Sequence, residues 1–212
     1  RSTWLNARWK DHLREASVTH ILFEGNVSGA RVEDLLERLQ RQRDRRVVVV
    51  NSPGGTFEFF SILAPALART GYNSVGFTVQ SAAIILHLLG QKRFATEKST
   101  FFFHEVSSVF DFTNGTVTVC ELGEFLDREK EFRKKHGSRE REVMVEWHRL
   151  MLQAQAWMLQ FIQERTGIRA GLFLNLMRDN ATLSGREAMQ YGIVHKVISE
   201  DEFWNRTQDT TQ

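Results

Sequence analysis

Apolar and polar positions in the first fifty residues follow two different periodicities. Residues 19–25 and 46–50 each contain a short apolar run. The second run consists of valines and lacks polar alternation. Such a run is typical of a strand that is buried on both faces, as in a parallel sheet. Between the two runs, Val32, Leu35, Leu36 and Leu39 recur at helical spacing opposite a charged face. The pattern predicts a strand, a helix and a second strand.

The same order of elements repeats up to His104. Residues 56–70 predict a helix, in which Pro65 should bend or break the first half. Residues 74–79 predict a strand, residues 81–89 an apolar helix, and Phe94 and residues 100–103 further strands. Regular alternation of strands and helices predicts an α/β fold with a mostly parallel sheet and right-handed crossovers.

The pattern changes after His104. Residues 109–119 predict a hairpin, because Asn114-Gly115 supplies the positive φ values of a type I′ turn. Residues 121–142 are highly charged and predict a solvated helix with a loop near Gly137. Residues 143–165 predict a long helix with a broad apolar stripe, which is typical of a core or of a subunit interface.

The two ends of the chain complete the predicted organisation. Residues 1–18 predict a short amphipathic helix, residues 184–191 a short helix with Ser184 as N-cap, and residues 193–198 a last strand. We expect one domain over residues 1–212. Within it, residues 105–165 form an enlarged arm of hairpin and long helix for oligomerisation.

Composition and charge narrow the possible partners. The 212 residues include 28 Lys and Arg against 26 Asp and Glu, a net charge of +2, which argues against nucleic acid binding because that needs a concentrated basic surface. No apolar stretch is long enough for a spanning helix, so no membrane partner is expected. The single Cys120 excludes an intramolecular disulfide and a multi-cysteine zinc site, and fits the reducing cytoplasm. No histidine spacing indicates a metal site, no phosphate-binding loop is present, and we expect no cofactor.

Three groups of residues that can carry chemistry follow predicted strands. The segment 51–55 reads Asn-Ser-Pro-Gly-Gly, and its glycines allow backbone N–H groups to bind an anion or to form an ordinary turn. Ser81 is either a helix N-cap or a nucleophile at a strand-to-helix turn. His104 follows residues 100–103. Because the carboxyl ends of parallel strands meet at one edge of a sheet, the sequence predicts a site at this edge.

In these residues the chain resembles the proteolytic subunit of Clp-type ATP-dependent serine proteases (ClpP-like), and more widely the Clp/crotonase superfamily. The resemblance runs from about Ile21 to Ile198. The matching segments are residues 51–55, Ser81 with Gly90, residues 92–94, residues 99–104, Thr166-Gly167, Arg178-Asp179 and residues 184–194.

The resemblance implies a superhelix of repeated ββα units with a mostly parallel sheet and a projecting hairpin-plus-helix arm. It implies that Ser81 attacks a peptide carbonyl, that His104 takes the serine proton, and that the N–H groups of Gly55 and Ala82 hold the oxyanion. Pro53 and Gly54 would support the turn that carries the Gly55 N–H group.

The third catalytic residue departs from the family. The family's aspartate lies three residues before an Arg-Asp pair, and counting back from Arg178 gives Asn175, whereas counting forward from Thr166-Gly167 gives Leu176. Neither residue is acidic. We take Asn175 as the third residue. An asparagine orients an imidazole but does not stabilise imidazolium as a carboxylate does.

Other departures concern the flanks of the site and the middle of the chain. Ser81 precedes Ala82-Ala83 where the family has Met-Gly, and His104 precedes Glu105-Val106 where the family has Gln-Pro. The segment from His104 to Thr166 is roughly 25 residues longer than the family pattern, judged by element lengths. The N-terminal region shows no match to the axial loop with which the family contacts its AAA+ unfoldase. This unfoldase is the ATPase partner that the resemblance implies.

Three functions are compatible with these residues. The first is a ClpP-like serine peptidase that hydrolyses peptides or unfolded proteins inside a homo-oligomeric chamber, for which the resemblance implies heptameric rings, single or stacked. The second is a catalytically weak or inactive structural subunit, favoured by the missing acid and the altered flanks. The third is a crotonase-type acyl-CoA enzyme, which the protease spacing of Ser81 and His104 disfavours.

Overall fold

The computed structural model describes residues 20–42, 46–56, 58–110, 115–128, 130, 134 and 137–203. The helix predicted over residues 1–18 lies outside these ranges. The elements of the described part, in chain order, are β1 (His20–Glu24), α1 (Gly29–Arg41), β2 (Val47–Ser52), α2 (Phe60–Thr70), β3 (Asn73–Gln80), α3 (Ala83–Leu89), β4 (Arg93–Phe102), β5 (Ser107–Val109), β6 (Thr116–Thr118), α4 (Val119–Asp127), α5 (Ser138–Thr166), α6 (Ala170–Arg178), β7 (Thr182–Ser184), α7 (Gly185–Gln190) and β8 (Lys196–Ile198).

The chain divides into two units, which are described separately. The first unit comprises residues 1–103, 165–168 and 182–212, and the second comprises residues 104–164 and 169–181. A single domain with an arm at residues 105–165 stays a prediction.

The first unit is built on a mostly parallel sheet in the order β1-β2-β3-β4, as predicted. β8 pairs in parallel with the start of β4, and β7 pairs antiparallel with its end. The valine run forms the centre of the core, since Val48, Val49 and Val50 are completely buried. The missing polar alternation in this run therefore reflects cover on both faces of the sheet.

β4 is one strand, where the sequence predicted two short ones. Its pairing with β3 shifts between Gly76 and Thr78, and the polar residues 96–99 occupy the shift. Ser99 is buried there, and its hydroxyl donates to the Gly76 carbonyl at 2.6 Å and accepts from the Thr96 N–H at 2.8 Å. The side chain thus replaces ladder hydrogen bonds that the irregularity removes.

Two helix boundaries also differ from the prediction. α2 begins at Phe60 and not at residue 56, so Pro65 lies inside a shorter helix that lacks one backbone hydrogen bond. α1 begins at Gly29 and buries Val32, Leu35 and Leu39, while Leu36, the fourth residue of the predicted stripe, is half-buried.

The second unit contains the predicted hairpin and the long helix. β5 and β6 pair antiparallel, so the hairpin is present. Val109 pairs with Thr116, which leaves six residues between the strands and not the two-residue Asn114-Gly115 turn that the sequence predicted, and Val119 begins α4. Asn114 lies outside the described residues. α5 spans 29 residues and extends past both predicted ends. Its buried residues are Met144, Met151, Gln155, Met158 and Ile162. None of the helices in the described part of the chain is both long and apolar enough to span a membrane.

Candidate active site

Ser81 lies at the turn between β3 and α3 with an unusual backbone conformation. Its φ of 53° falls in the left-handed region, which costs a residue with a side chain about 1–2 kcal/mol. Its N–H donates to the carbonyl of Phe102, the last residue of β4, at 3.0 Å. Phe102 precedes His104 by two residues. A strained serine between a strand and a helix is a geometry that presents a nucleophile.

The structure decides against Ser81 as a helix cap. The N-cap position of α3 falls on Ala82, and no side chain caps this helix. An N-cap serine has extended backbone, and its oxygen accepts a hydrogen bond from the first turn. Ser184 has this geometry at α7, with φ of −69° and a hydrogen bond from the Glu187 N–H, which confirms its predicted role. A capping role therefore does not explain the left-handed backbone of Ser81.

The turn at Gly54 packs directly on Ser81. Gly54 has φ of 91°, and a Cβ added there would lie 2.6 Å from the Cβ of Ser81 and 2.7 Å from the Gln80 carbonyl oxygen. Both distances are shorter than any tolerated contact, so only glycine allows this approach. The structure thus brings together the Pro53-Gly54-Gly55 turn after β2 and the serine after β3, as the sequence predicted for adjacent strand ends.

The peptide unit between Gly54 and Gly55 directs one N–H away from its neighbours. The Gly54 carbonyl accepts a hydrogen bond from the Val27 N–H at 2.8 Å, and Thr56 donates to the Val27 carbonyl at 3.1 Å. In a trans peptide the C=O and N–H point in opposite directions, so the Gly55 N–H points away from Val27. This is the donor that the resemblance assigned to an oxyanion.

The second predicted donor lies at the N-terminus of α3. Ile84 donates to the Ser81 carbonyl and Ile85 to the Ala82 carbonyl, at 3.0 and 3.2 Å. The N–H of Ala82 precedes these bonds and belongs to the donors that a helix leaves without an intrahelical partner. Ala82 itself is buried. The helix N-terminus favours negative charge at this point.

His104 belongs to the second unit and is half-buried. Its Nδ1 lies 2.6 Å from the backbone carbonyl oxygen of Glu105. A carbonyl only accepts hydrogen bonds, so Nδ1 carries a proton in this contact and the neutral ring keeps its lone pair on Nε2. This is the tautomer that a general base at Nε2 requires.

Asn175, the predicted third residue, lies on α6 with an exposed side chain. Asn180 is a second asparagine, just after this helix. β4 and β7 pair as far as Phe102–Thr182, and Asn180 precedes Thr182 by two residues with an exposed side chain. Asn180 has φ of 49°, a conformation that asparagine adopts more readily than most residues. No local pattern indicated α6 or β7, and without them the register was not visible.

A matched pair of variants decides between the two asparagines. If Asn180 orients His104, Asn180→Asp should raise the rate of peptide hydrolysis at least about tenfold, because an anionic acceptor stabilises imidazolium, an effect of up to about 10⁴ in serine proteases. Asn175→Asp should then leave the rate within about twofold, since it adds no acceptor for the imidazolium. Steady-state kinetics on both variants measures the difference. The opposite result would support the sequence-based assignment of Asn175.

His87, the histidine of α3, is a core residue and not part of the site. It is completely buried and packs against the ring of Phe101, with 5.1 Å between the two ring centroids. Burial, followed by the positive charge of Arg93, lowers the pKa of His87 to about 3. The ring is therefore neutral at physiological pH. Within the described ranges, no group of three or more His, Cys, Asp or Glu side chains is arranged to hold a metal ion.

Comparison with known proteins identifies the fold. No protein-family model and no curated protein sequence matches the chain. Among solved structures, ClpP1 from Listeria monocytogenes is 18% identical with a TM-score of 0.60, and a ClpP1 mutant from the same organism, with one asparagine replaced by aspartate, is 20% identical with a TM-score of 0.57. Each comparison covers 90% of this chain and 97% of the other. The chain has the α/β fold of these ClpP structures, with a mostly parallel sheet.

Proposed function

We propose that the chain is a ClpP-like serine peptidase in which Ser81 is the nucleophile and His104 the general base. The observation that carries the proposal is the left-handed backbone of Ser81, packed against the Gly54-Gly55 turn at the carboxyl ends of two adjacent parallel strands. An ordinary turn needs neither the strain at Ser81 nor the close approach of Gly54. The ClpP-like fold supports the same interpretation.

The proposed reaction proceeds in two displacements. The Ser81 oxygen attacks the peptide carbonyl while His104 Nε2 takes the hydroxyl proton, and the N–H groups of Gly55 and Ala82 stabilise the oxyanion. The tetrahedral intermediate collapses, the C–N bond breaks, and His104 gives the proton to the leaving amine. Water then attacks the acyl-enzyme with His104 again as base, which releases the carboxylic acid and restores Ser81.

Hydrolysis of short fluorogenic peptides tests this proposal. The wild-type chain should release the fluorophore, and His104→Gln should lower the rate at least about a thousandfold, because the serine loses its base. Equal rates in the wild type and the variant would contradict the proposed base. Binding of an acyl-CoA by calorimetry, without peptide hydrolysis, would instead support the crotonase-type alternative.

A second candidate function has one observation in its favour. The acceptor at His104 Nδ1 is an uncharged carbonyl, and both candidate third residues are asparagines. A neutral acceptor stabilises imidazolium less than a carboxylate does. A slow or inactive ClpP-like subunit that serves in an assembly is therefore the alternative, and an activity-based probe distinguishes it from the first.

We further propose that the partner of the long helix is a second copy of this chain. α5 exposes Val143, Trp147 and Leu150, which are 51%, 42% and 42% accessible and lie one turn apart along one stripe. Large apolar side chains in a contiguous row mark an interaction surface. The ClpP-like fold and the resemblance support a ring of copies. Its heptameric size and an AAA+ unfoldase partner stay predictions.

Light scattering at micromolar concentration checks the assembly. The wild type should have a mass several times the 24.6 kDa of one chain, and the double variant Trp147→Glu/Leu150→Glu should have a lower mass, because charge on the stripe opposes burial. Glu142→Gln, at an exposed position of the same helix, serves as a control and should leave the mass unchanged. A monomeric wild type would contradict the proposal.

A further inference from the structure

We propose that Gln155 is a positioning residue, which holds the His104 ring through the peptide bond between Glu105 and Val106. The inference deepens the proposed function and rests on it, since it assigns Gln155 to the base of that reaction. All the groups involved belong to the second unit.

The Glu105 carbonyl fixes the tautomer of His104. Its oxygen lies 2.6 Å from Nδ1 and accepts the Nδ1 proton, which leaves the lone pair of the neutral ring on Nε2. In a serine protease triad a carboxylate takes this place. Here the acceptor is a backbone group, so the orientation of the ring depends on what orients that peptide.

Gln155 fixes the other side of the same peptide. The Val106 N–H, which shares one planar unit with the Glu105 carbonyl, donates to Gln155 Oε1 at 3.0 Å. Since the C=O and N–H of a trans peptide point in opposite directions, an anchored N–H determines the direction of the carbonyl. Val106 is held at its own carbonyl as well, which accepts from the Val119 N–H at 3.0 Å.

The amide of Gln155 is itself held in one orientation. Its Nε2 donates to the Glu105 carboxylate at 3.2 Å, and the Arg178 Nε lies 3.7 Å from the same carboxylate oxygen. Glu105 and Gln155 are only 5% and 7% exposed. A rotated amide would place its NH₂ group against the Val106 N–H and its oxygen against the carboxylate, and buried polar groups tolerate no such mismatch.

The sequence offers no route to this assignment. Gln155 lies 50 residues from Glu105, on the otherwise apolar buried face of α5. A glutamine on such a face costs free energy unless its polar atoms are bonded, and both of them are bonded to the segment that follows His104. Packing alone would be served by an apolar residue of the same length.

Nitrogen NMR of the histidine rings tests the proposal together with kinetics. In the ¹⁵N-histidine-labelled wild type, with His104 assigned by comparison with His104→Gln, Nδ1 should carry the proton of the neutral ring. Gln155→Met, of nearly the same shape, should produce a mixture of tautomers and lower kcat about tenfold to a hundredfold with little change in KM, as expected for a misoriented base. Gln153→Met, at an exposed position of the same helix, is the matched control and should change neither.

A double variant keeps the test decisive if Gln155→Met does not fold. Glu105→Gln/Gln155→Glu exchanges donor and acceptor, so that residue 105 donates to residue 155 while a residue 155 oxygen still accepts from Val106. It should restore the wild-type tautomer and kcat to within about threefold. A mixed tautomer in the folded double variant would overturn the proposal, as would an unchanged tautomer and kcat in folded Gln155→Met.

The NMR signal also separates this proposal from the proposed function. A wild type without hydrolysis, whose Nδ1–H tautomer is still lost in Gln155→Met, would contradict the peptidase and support the positioning role. Hydrolysis that persists with the same tautomer in folded Gln155→Met would support the peptidase and overturn the positioning role.

Discussion

Alanine at position 81 should lower peptide hydrolysis at least about a thousandfold and leave the chain folded, because it removes the nucleophile and only one oxygen atom. Glycine at the same position should abolish hydrolysis equally but raise the free energy of unfolding by up to about 1 kcal/mol, since glycine adopts positive φ without strain. The difference between the free energies of unfolding of the two variants measures the backbone strain that the φ of 53° at Ser81 implies. Peptide hydrolysis and urea denaturation of both variants provide the two quantities.

Ser184 supplies the matched control for these variants. Its hydroxyl caps α7 and accepts from the Glu187 N–H, so Ser184→Ala should lower the free energy of unfolding by about 1 kcal/mol and leave hydrolysis unchanged. The two serines should thus show opposite patterns of activity and stability. Hydrolysis that survives in Ser81→Ala would contradict the role of Ser81 as nucleophile.

Alanine at position 55 should lower hydrolysis by about 10²–10³, the usual effect of losing one oxyanion donor. Gly55 has φ of 147°, and an added Cβ would lie 2.3 Å from the Val27 carbonyl oxygen. The turn must therefore move, and the Gly55 N–H moves with it. The same strain should lower the free energy of unfolding by about 1–3 kcal/mol. Kinetics below the unfolding transition separates the two effects.

Gly171 is the control for this substitution. It lies in the first turn of α6, where an added Cβ meets no atom within 4 Å. Gly171→Ala should leave hydrolysis unchanged and raise stability by up to about 1 kcal/mol, because alanine favours the helix. A Gly55→Ala chain that is destabilised but hydrolyses at the wild-type rate would contradict the oxyanion role.

Much of the first unit follows from local sequence. The unbroken valine run predicted a strand covered on both faces, and its three central valines are completely buried. The apolar stripe predicted for α1 contains its three buried residues, and only Leu36 of that stripe is half-buried. Such elements are predictable because their periodicity is a direct consequence of which side faces the core.

Elements that depend on distant partners were not predictable. The polar residues 96–99 interrupt the apolar pattern of β4, and only the bond from Ser99 to Gly76 explains how the strand continues. β7 has three residues, too few for a periodic signal, and exists because β4 offers it an edge. Tertiary pairing overrides local preference in both cases.

The candidate site also contains some residues that local sequence indicates and others that it does not. Glycines and a serine directly after strands are visible in the sequence, so the approach of the Gly54-Gly55 turn to Ser81 at one edge of the sheet was predictable from their positions. The surroundings of His104 were not, because Gln155 contacts the neighbouring Glu105 from 50 residues away along the chain. The groups that orient a catalytic side chain are brought into contact by tertiary structure, so local sequence does not indicate them.

Labelling with a fluorophosphonate probe tests the central claim, an activated serine at position 81, most directly. The probe reacts only with a serine whose oxygen is activated by a base and whose adduct is held by oxyanion donors. Intact mass and peptide mapping should show one adduct, located on Ser81, that is absent in Ser81→Ala and reduced in Gly55→Ala, with Ser184 unmodified. No adduct on folded wild-type protein, under conditions that label an active serine protease, would contradict the claim and favour an inactive subunit.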